Sequence, residues 1–271
     1  MKKTFLYRII TLAAILVFAA CEEQTSWIVQ APDRFIVADC IITNELKYHE
    51  LKLYYSGDSL NYKPESVTGA TIGISYGTNQ IEFTEKPGEP GIYISNEVFM
   101  ATAGNIYSLH ISAGNISGTA YATMTAINPM EPAEIIETDS LYRFVYFESS
   151  QPSMTDVFYD WSSSPGYCSI YGACSASETF YTLNNIDINK IFAPDKQEIL
   201  FPRGTQIIRR KYSLSDEHQK FLRSLLMETE WRGGVFDVEQ GNVPTNFSGE
   251  IRGWFAACMV LTDTVNFNYS F

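Results

Sequence analysis

From Arg34 to Ala126 the sequence is a succession of short apolar or alternating runs, each closed by turn-forming residues. This is the feature that most narrows the fold. Glu50-Leu51-Lys52-Leu53-Tyr54 alternates with period two, as a half-buried strand does. Phe35-Ile36-Val37-Ala38, Thr71-Ile72-Gly73-Ile74 and Gln80-Ile81-Glu82-Phe83 are of strand length, the last two joined across Gly77-Thr78-Asn79. Gly91-Ile92-Tyr93-Ile94 follows a Pro-Gly-Glu-Pro turn, and Ile106 to Ile111 can pair with Gly118 to Ala122 across Gly114-Asn115. About seven such strands without helical period predict an immunoglobulin-like or transthyretin-like β-sandwich over residues 34–127. The 17 Tyr and 17 Phe agree, because aromatic side chains cover a pleated, half-buried surface well.

Asn128-Pro129-Met130-Glu131-Pro132 reads as a linker into a second, α+β half, residues 128–271. Glu134 to Glu137 and Tyr142 to Phe147 are strand-like, while Gln151 to Ala176, rich in Ser, Pro, Gly and Tyr, reads as irregular. The clearest helix is expected over 215–231. Ser213 or Ser215 can cap it, Asp216 and Glu217 suit its positive N-terminal end, and Gly233-Gly234 stops it. Phe221, Leu222, Leu225 and Leu226 give it one apolar face, which should pack on a sheet. Val235 to Val238 and the apolar run Gly253 to Val260 are the expected closing strands.

Ahead of this body, Lys2, Lys3 and Arg8 precede an uncharged run, Ile9 to Ala20, that ends at Cys21. That run is shorter than the roughly 20 residues a spanning helix needs and reads as a cleaved signal peptide over 1–20. Ala19-Ala20-Cys21 resembles the bacterial lipobox, in which the cysteine is acylated and becomes the membrane anchor. Residues 21–33 then form a lipidated tether. Glu22 and Glu23 just behind the cysteine either resemble the signal that sends Bacteroidota lipoproteins to the cell surface or belong to a merely solvated linker, so the expected address is the outer membrane, lipid-anchored, at the cell surface or on the periplasmic face.

Removing the signal takes away Lys2, Lys3 and Arg8 and leaves 16 basic side chains against 31 acidic ones, a formal charge near −15. Nucleic acid is disfavoured as a partner, since phosphate binding relies on basic footprints. Cys40, Cys168, Cys174 and Cys258 remain after acylation, in a compartment that permits disulfides. Cys168 and Cys174 bracket a loop in which Gly172 allows a tight return and are the expected bridge; Cys40 and Cys258 lie in strand-like runs and suit buried thiols.

No metal site or cofactor is expected, because the three histidines are scattered and no Cys-x-x-Cys pair occurs. No nucleophile elbow or phosphate-cradling glycine loop is present, and His110 and His218 read as structural, so an enzyme is not expected. Tyr159, Trp161, Tyr167 and Tyr171, within a Tyr-rich stretch that begins at Tyr142, either stack on a ligand or build the second core. Asp58-Ser59-Leu60, Asp139-Ser140-Leu141 and Asp263-Thr264-Val265 resemble a three-residue O-glycosylation acceptor.

The lipobox, the opening strand Phe35 to Asn44, Val67 to Ile72, Pro90-Gly91-Ile92-Tyr93 and Gly104 to Leu109 together resemble the Bacteroidota lipoprotein family termed domain of unknown function 4249. Gly241-Asn242-Val243-Pro244-Thr245-Asn246-Phe247 and Gly253-Trp254-Phe255-Ala256 extend the likeness to the C-terminal end. The resemblance implies an accessory lipoprotein that binds a ligand or partner beside a TonB-dependent outer-membrane receptor during nutrient uptake. The alternative is a structural or adhesive envelope protein.

Overall fold

A computed structural model describes residues 34–57, 63–183, 198–229 and 243–267. The signal, the tether with Cys21, the expected strand at Val235 to Val238, the helix stop at Gly233-Gly234 and the Asp58-Ser59-Leu60 triplet lie outside them. The chain is mostly β, and from Arg34 onward it forms a single unit.

Nine strands make the larger sheet: β1 (Ile36–Thr43), β2 (Glu50–Tyr55), β3 (Thr71–Tyr76), β4 (Asn79–Glu85), β5 (Ile92–Ser95), β6 (Ile106–Ala113), β7 (Ile116–Thr123), β13 (Phe247–Gly249) and β14 (Ile251–Cys258). Their order is β13-β7-β6-β3-β4-β5-β2-β1-β14. All neighbours run antiparallel except β1 and β14, which pair in parallel from Ile36↔Ile251 to Thr43↔Cys258. Because β13 and β14 are consecutive in the chain yet sit at opposite ends of this order, the sheet must curl until its ends meet. In place of the expected sandwich of two facing sheets there is one sheet curled nearly to closure around a single core.

The expected strands recur with small shifts of their ends, and their alternation explains the core. Ile36, Ala38, Cys40 and Ile42 of β1 are all buried, as are Leu51 and Leu53 of β2. Tyr93 and Tyr107 are fully buried but keep their hydroxyls bonded, Tyr93 donating to the Val67 carbonyl at 2.9 Å and Tyr107 accepting from the Thr102 amide at 2.7 Å. Each thereby fastens a loop to the barrel wall while its ring fills the interior.

The seam between β7 and β14 is closed in part by a side chain. The Asn246 amide nitrogen donates to the carbonyls of Tyr121 (3.1 Å) and Phe255 (2.7 Å), and its oxygen accepts from the Phe255 amide (3.0 Å). One primary amide thus replaces a peptide unit of the missing ladder. Beside it, Gly253 at φ +102° passes so close to β1 that a Cβ there would lie 2.1 Å from the Ala38 carbonyl oxygen. Both residues fall in the C-terminal stretches that carry the family resemblance.

The boundary expected after residue 127 does not separate two sheets, since β13 and β14 return to complete the first one. The run expected as one strand, Gly253 to Val260, divides at Met259. β14 ends at Cys258, and β15 (Val260–Asn266) begins in a second, four-stranded sheet of order β11-β10-β12-β15. Here β10 is Ser153–Asp160, β11 Ser175–Thr182 and β12 Gln206–Ser213. The stretch 151–176, expected to be irregular, therefore supplies β10, one of the two interior strands, followed in the chain by a short helix α1 (Pro165–Tyr171). Its alternation was hidden because Ser153 and Thr155 face inward with Val157 and Tyr159. A hairpin of β8 (Glu134–Thr138) and β9 (Leu141–Val145) contributes Ile135, Tyr142 and Phe144 to the core over this sheet.

The expected amphipathic helix is α2 (Asp216–Thr229). Ser215 caps it, its hydroxyl accepting from the His218 amide at 3.2 Å. Its Phe221 packs on the outer face of β14, against Trp254 at a ring separation of 4.7 Å.

Candidate functional site

Tyr159 and Trp161, read as possible stacking platforms, are core residues. Both are buried with Val157, Phe201, Ile207 and Phe267 between the second sheet and the β8–β9 hairpin. The Tyr159 hydroxyl donates to Glu178, and burial first, with that carboxylate second, pushes its pKa up. The Trp161 indole donates to the Ala173 carbonyl at 2.9 Å. Tyr167 is half-buried against the same core, and the Tyr171 side chain lies outside the described residues. No face of Tyr159 or Trp161 is left for a ligand. The hairpin that covers them is brought there by pairing that the sequence pattern does not encode.

Cys168 and Cys174 form the expected disulfide, their Cα atoms 4.6 Å apart, with Gly172 ending α1 at φ +70°. It closes the loop that carries Ala173, the acceptor of the Trp161 indole. Cys40 and Cys258 are buried free thiols that face opposite sides of the barrel wall, Cys40 inward and Cys258 toward α2.

Cys258 and His218 meet under α2, Sγ to Nδ1 3.8 Å, with the imidazole stacked on Trp254. Burial lowers His218 to about 4 and raises Cys258 to about 12, so both are neutral near pH 7. A catalytic Cys–His pair requires the opposite polarity, a thiolate beside an imidazolium. His49 is likewise buried, held near 4 chiefly by that burial, its Nε2 bonded to the Phe99 carbonyl at 3.1 Å. Among the described residues no three His, Cys, Asp or Glu side chains converge as a metal site.

The buried cations of β12 are committed to the protein itself. Lys211, fully buried, reaches both oxygens of Glu131 at 3.0 Å and the Pro129 carbonyl at 3.1 Å. Burial raises the Glu131 carboxyl, but hydrogen bonds from Lys211, its own backbone and Ser149, together with the Lys211 charge, more than offset it and hold it below the usual range. Arg209 bonds the Glu131 carbonyl at 2.8 Å and the Asp263 carboxylate. The segment read as a free linker is therefore a strap clamped onto the second sheet.

The surface feature that stands out lies where β1 ends. Lys47 and Phe99 exchange two backbone hydrogen bonds, 3.4 and 3.2 Å, and Phe99 turns inward onto the His49 ring, 4.4 Å away. Leu46, Tyr48, Val98 and Met100, the residues flanking this bridge in sequence, are exposed at 68%, 52%, 45% and 52%. Beside it Glu45 accepts from Lys47 at 2.7 Å and Arg210 at 2.6 Å. Sequence reasoning did not single out these four side chains, which fall as two spaced apolar pairs in polar loops.

Comparison with curated proteins finds no match. The family described as Domain of unknown function (DUF4249) matches residues 22–264, which takes in the whole nine-stranded sheet, the seam at Asn246 and nearly all of β15. The chain belongs to the domain of unknown function 4249 family.

Proposed function

We propose that the protein is an outer-membrane lipoprotein, acylated at Cys21, whose folded body binds a partner at the cell surface and assists a TonB-dependent receptor in nutrient uptake. The observation that carries this reading is the polarity of β1. The N-terminal segment passes through Arg34 directly into β1, which is held on one side by five antiparallel pairs to β2 and on the other by eight parallel pairs to β14. A body suspended from its N-terminus thus hangs from a strand paired along both edges. That strand of 8 residues rises about 3.3 Å per residue, so its far end stands some 25 Å from where the chain enters. No helix among the described residues is long and apolar enough to cross a membrane, in keeping with attachment through a lipid.

The test is metabolic labelling with a fatty-acid analogue in wild type and Cys21→Ala, followed by protease shaving of intact cells and gentle extraction. Label that depends on Cys21, loss of the body on shaving and co-extraction with a receptor are the expected results. A wild-type chain that takes up no label would overturn the anchor. Labelled, shaved protein without a receptor, together with loss of adhesion on deletion, would favour the structural or adhesive role.

A further inference from the structure

We propose that the outer edge of β15 pairs with the same edge of a second copy of this chain, across a two-fold axis at Thr264. Two four-stranded sheets then become one. The inference goes beyond the anchored, receptor-assisting reading above and does not depend on it.

The register of β15 on β12 fixes which of its backbone groups are already used. At one end the Ser213 amide donates to the Met259 carbonyl at 2.9 Å, and at the other the Phe267 amide donates to the Thr205 carbonyl at 3.1 Å. Bonded and non-bonded pairs alternate along an antiparallel ladder, so Leu261, Asp263 and Val265 bond β12 opposite Lys211, Arg209 and Ile207. Val260, Thr262, Thr264 and Asn266 therefore turn both N–H and C=O to the other side, where the four-stranded sheet ends. There the Val260 amide donates to the Asn44 side chain at 2.7 Å. Among the described residues nothing bonds the backbone of Thr262, Thr264 or Asn266 along this edge, and all three are exposed.

Open edges are ordinarily blunted by Lys, Pro, a bulge or a charge. Leu261-Thr262-Asp263-Thr264-Val265-Asn266 holds no Lys, Pro or Gly, and its one charge is bonded to Arg209, so the edge brings no net charge to a contact. The open groups run two residues to either side of Thr264, the self-matching strip that a two-fold interface requires. With Thr264 opposite its own copy, Thr262 faces Asn266 of the second copy, each such pair exchanges two backbone bonds, and Asp263 lies opposite Val265. An axis at Asp263 would instead oppose two carboxylates and run Asn266 against the position that Asn44 already fills. An extended segment of another protein finds less here. Strand addition takes its specificity from pockets for alternate side chains, and the exposed side chains along this edge are the short, polar Thr262, Thr264 and Asn266.

The experiment uses residues 21–271, made without the segment read as a signal so that no acyl group drives association. Sedimentation over a concentration series into the millimolar range is combined with backbone hydrogen exchange. A reversible dimer is expected. As it forms, exchange should slow at the Thr262, Thr264 and Asn266 amides and stay unchanged at Leu261 and Val265, which β12 already holds. Thr264→Lys sets two cations face to face and should weaken the dimer at least tenfold, as should Thr264→Glu with two anions. An equimolar mixture of the two variants should pair again as the mixed dimer. Thr264 is exposed, so each variant should melt as the wild type does. A monomer at every concentration, a dimer that Thr264→Lys leaves intact, edge amides that do not slow, or variants that fail to pair when mixed overturns the proposal. So does a glycan on Thr264 in the intact mass of the chain from its native host, since that group would fill the axis.

Discussion

His49 and His218 are the groups whose protonation the fold opposes. Both are held near 4, against about 6.5 when unfolded, so between those values the unfolded chain binds protons that the native one refuses. Their contribution is complete above about pH 6.5 and is lost as pH falls toward 4, to a limit on the order of 3 kcal/mol for each. The carboxylates held low, Glu45 and Glu131, lose theirs only further down. Denaturation midpoints should therefore hold level from pH 7.5 to about 6.5 and fall steadily from there to 5, and His218→Phe should flatten that slope; an unchanged midpoint from pH 6.5 to 5 would contradict the burial argument. The second prediction at this scale concerns Lys211. Glu131→Gln leaves a buried ammonium with carbonyl partners only and should cost about 3 kcal/mol, while Lys211→Met combined with Glu131→Gln should recover most of it, since losing both charges is milder than losing one. A double-mutant cycle by equilibrium unfolding checks this. Ser215 as cap and Cys168–Cys174 as bridge were legible because each depends on neighbours in sequence. The buried roles of Tyr159 and Trp161 were not, because a tyrosine in a core and one in a binding groove have the same local pattern.

Among elements, the seam shows what a strand-by-strand reading lacks. Asn246 makes three hydrogen bonds across β7 and β14. At about 1 kcal/mol each, Asn246→Ala should cost roughly 2–3 kcal/mol and raise the hydrogen-exchange rate of the Phe255 amide well above that of Leu109 in β6, a strand paired along both edges. Equal protection at both amides in the variant would mean that the seam is held by other contacts. The strands of the first sheet were readable because Leu51 and Leu53, or Ile72 and Ile74, alternate with residues that stay wet. β10 was not, because its buried face mixes Ser153 and Thr155 with Val157 and Tyr159. The break at Met259 was equally silent: its amide donates to the Ser213 hydroxyl and its carbonyl accepts from the Ser213 amide, and nothing in the apolar run marks a change of sheet.

At the scale of the whole molecule, β14 ties residue 258 to residue 43 and β13 ties residue 249 to residue 118. A chain ending at 127 would leave β1 without its parallel neighbour, uncover the barrel core and expose an unpaired strand. Residues 34–127 expressed alone should aggregate, whereas the mature chain should unfold in one transition by both far-ultraviolet circular dichroism and tryptophan fluorescence. A soluble, cooperatively folding 34–127 fragment would refute this dependence. The sequence by itself determined the mostly β composition, the strand periods of the first half, the capped helix, the local disulfide and the family, all of which rest on short-range pattern or matching residues. Only the tertiary structure decided that the sheet curls nearly closed, that the linker is a clamped strap and that Tyr159 and Trp161 are core. Each of those depends on contacts between residues far apart in the chain, and a period of two or 3.6 says which face is apolar but not what that face will meet.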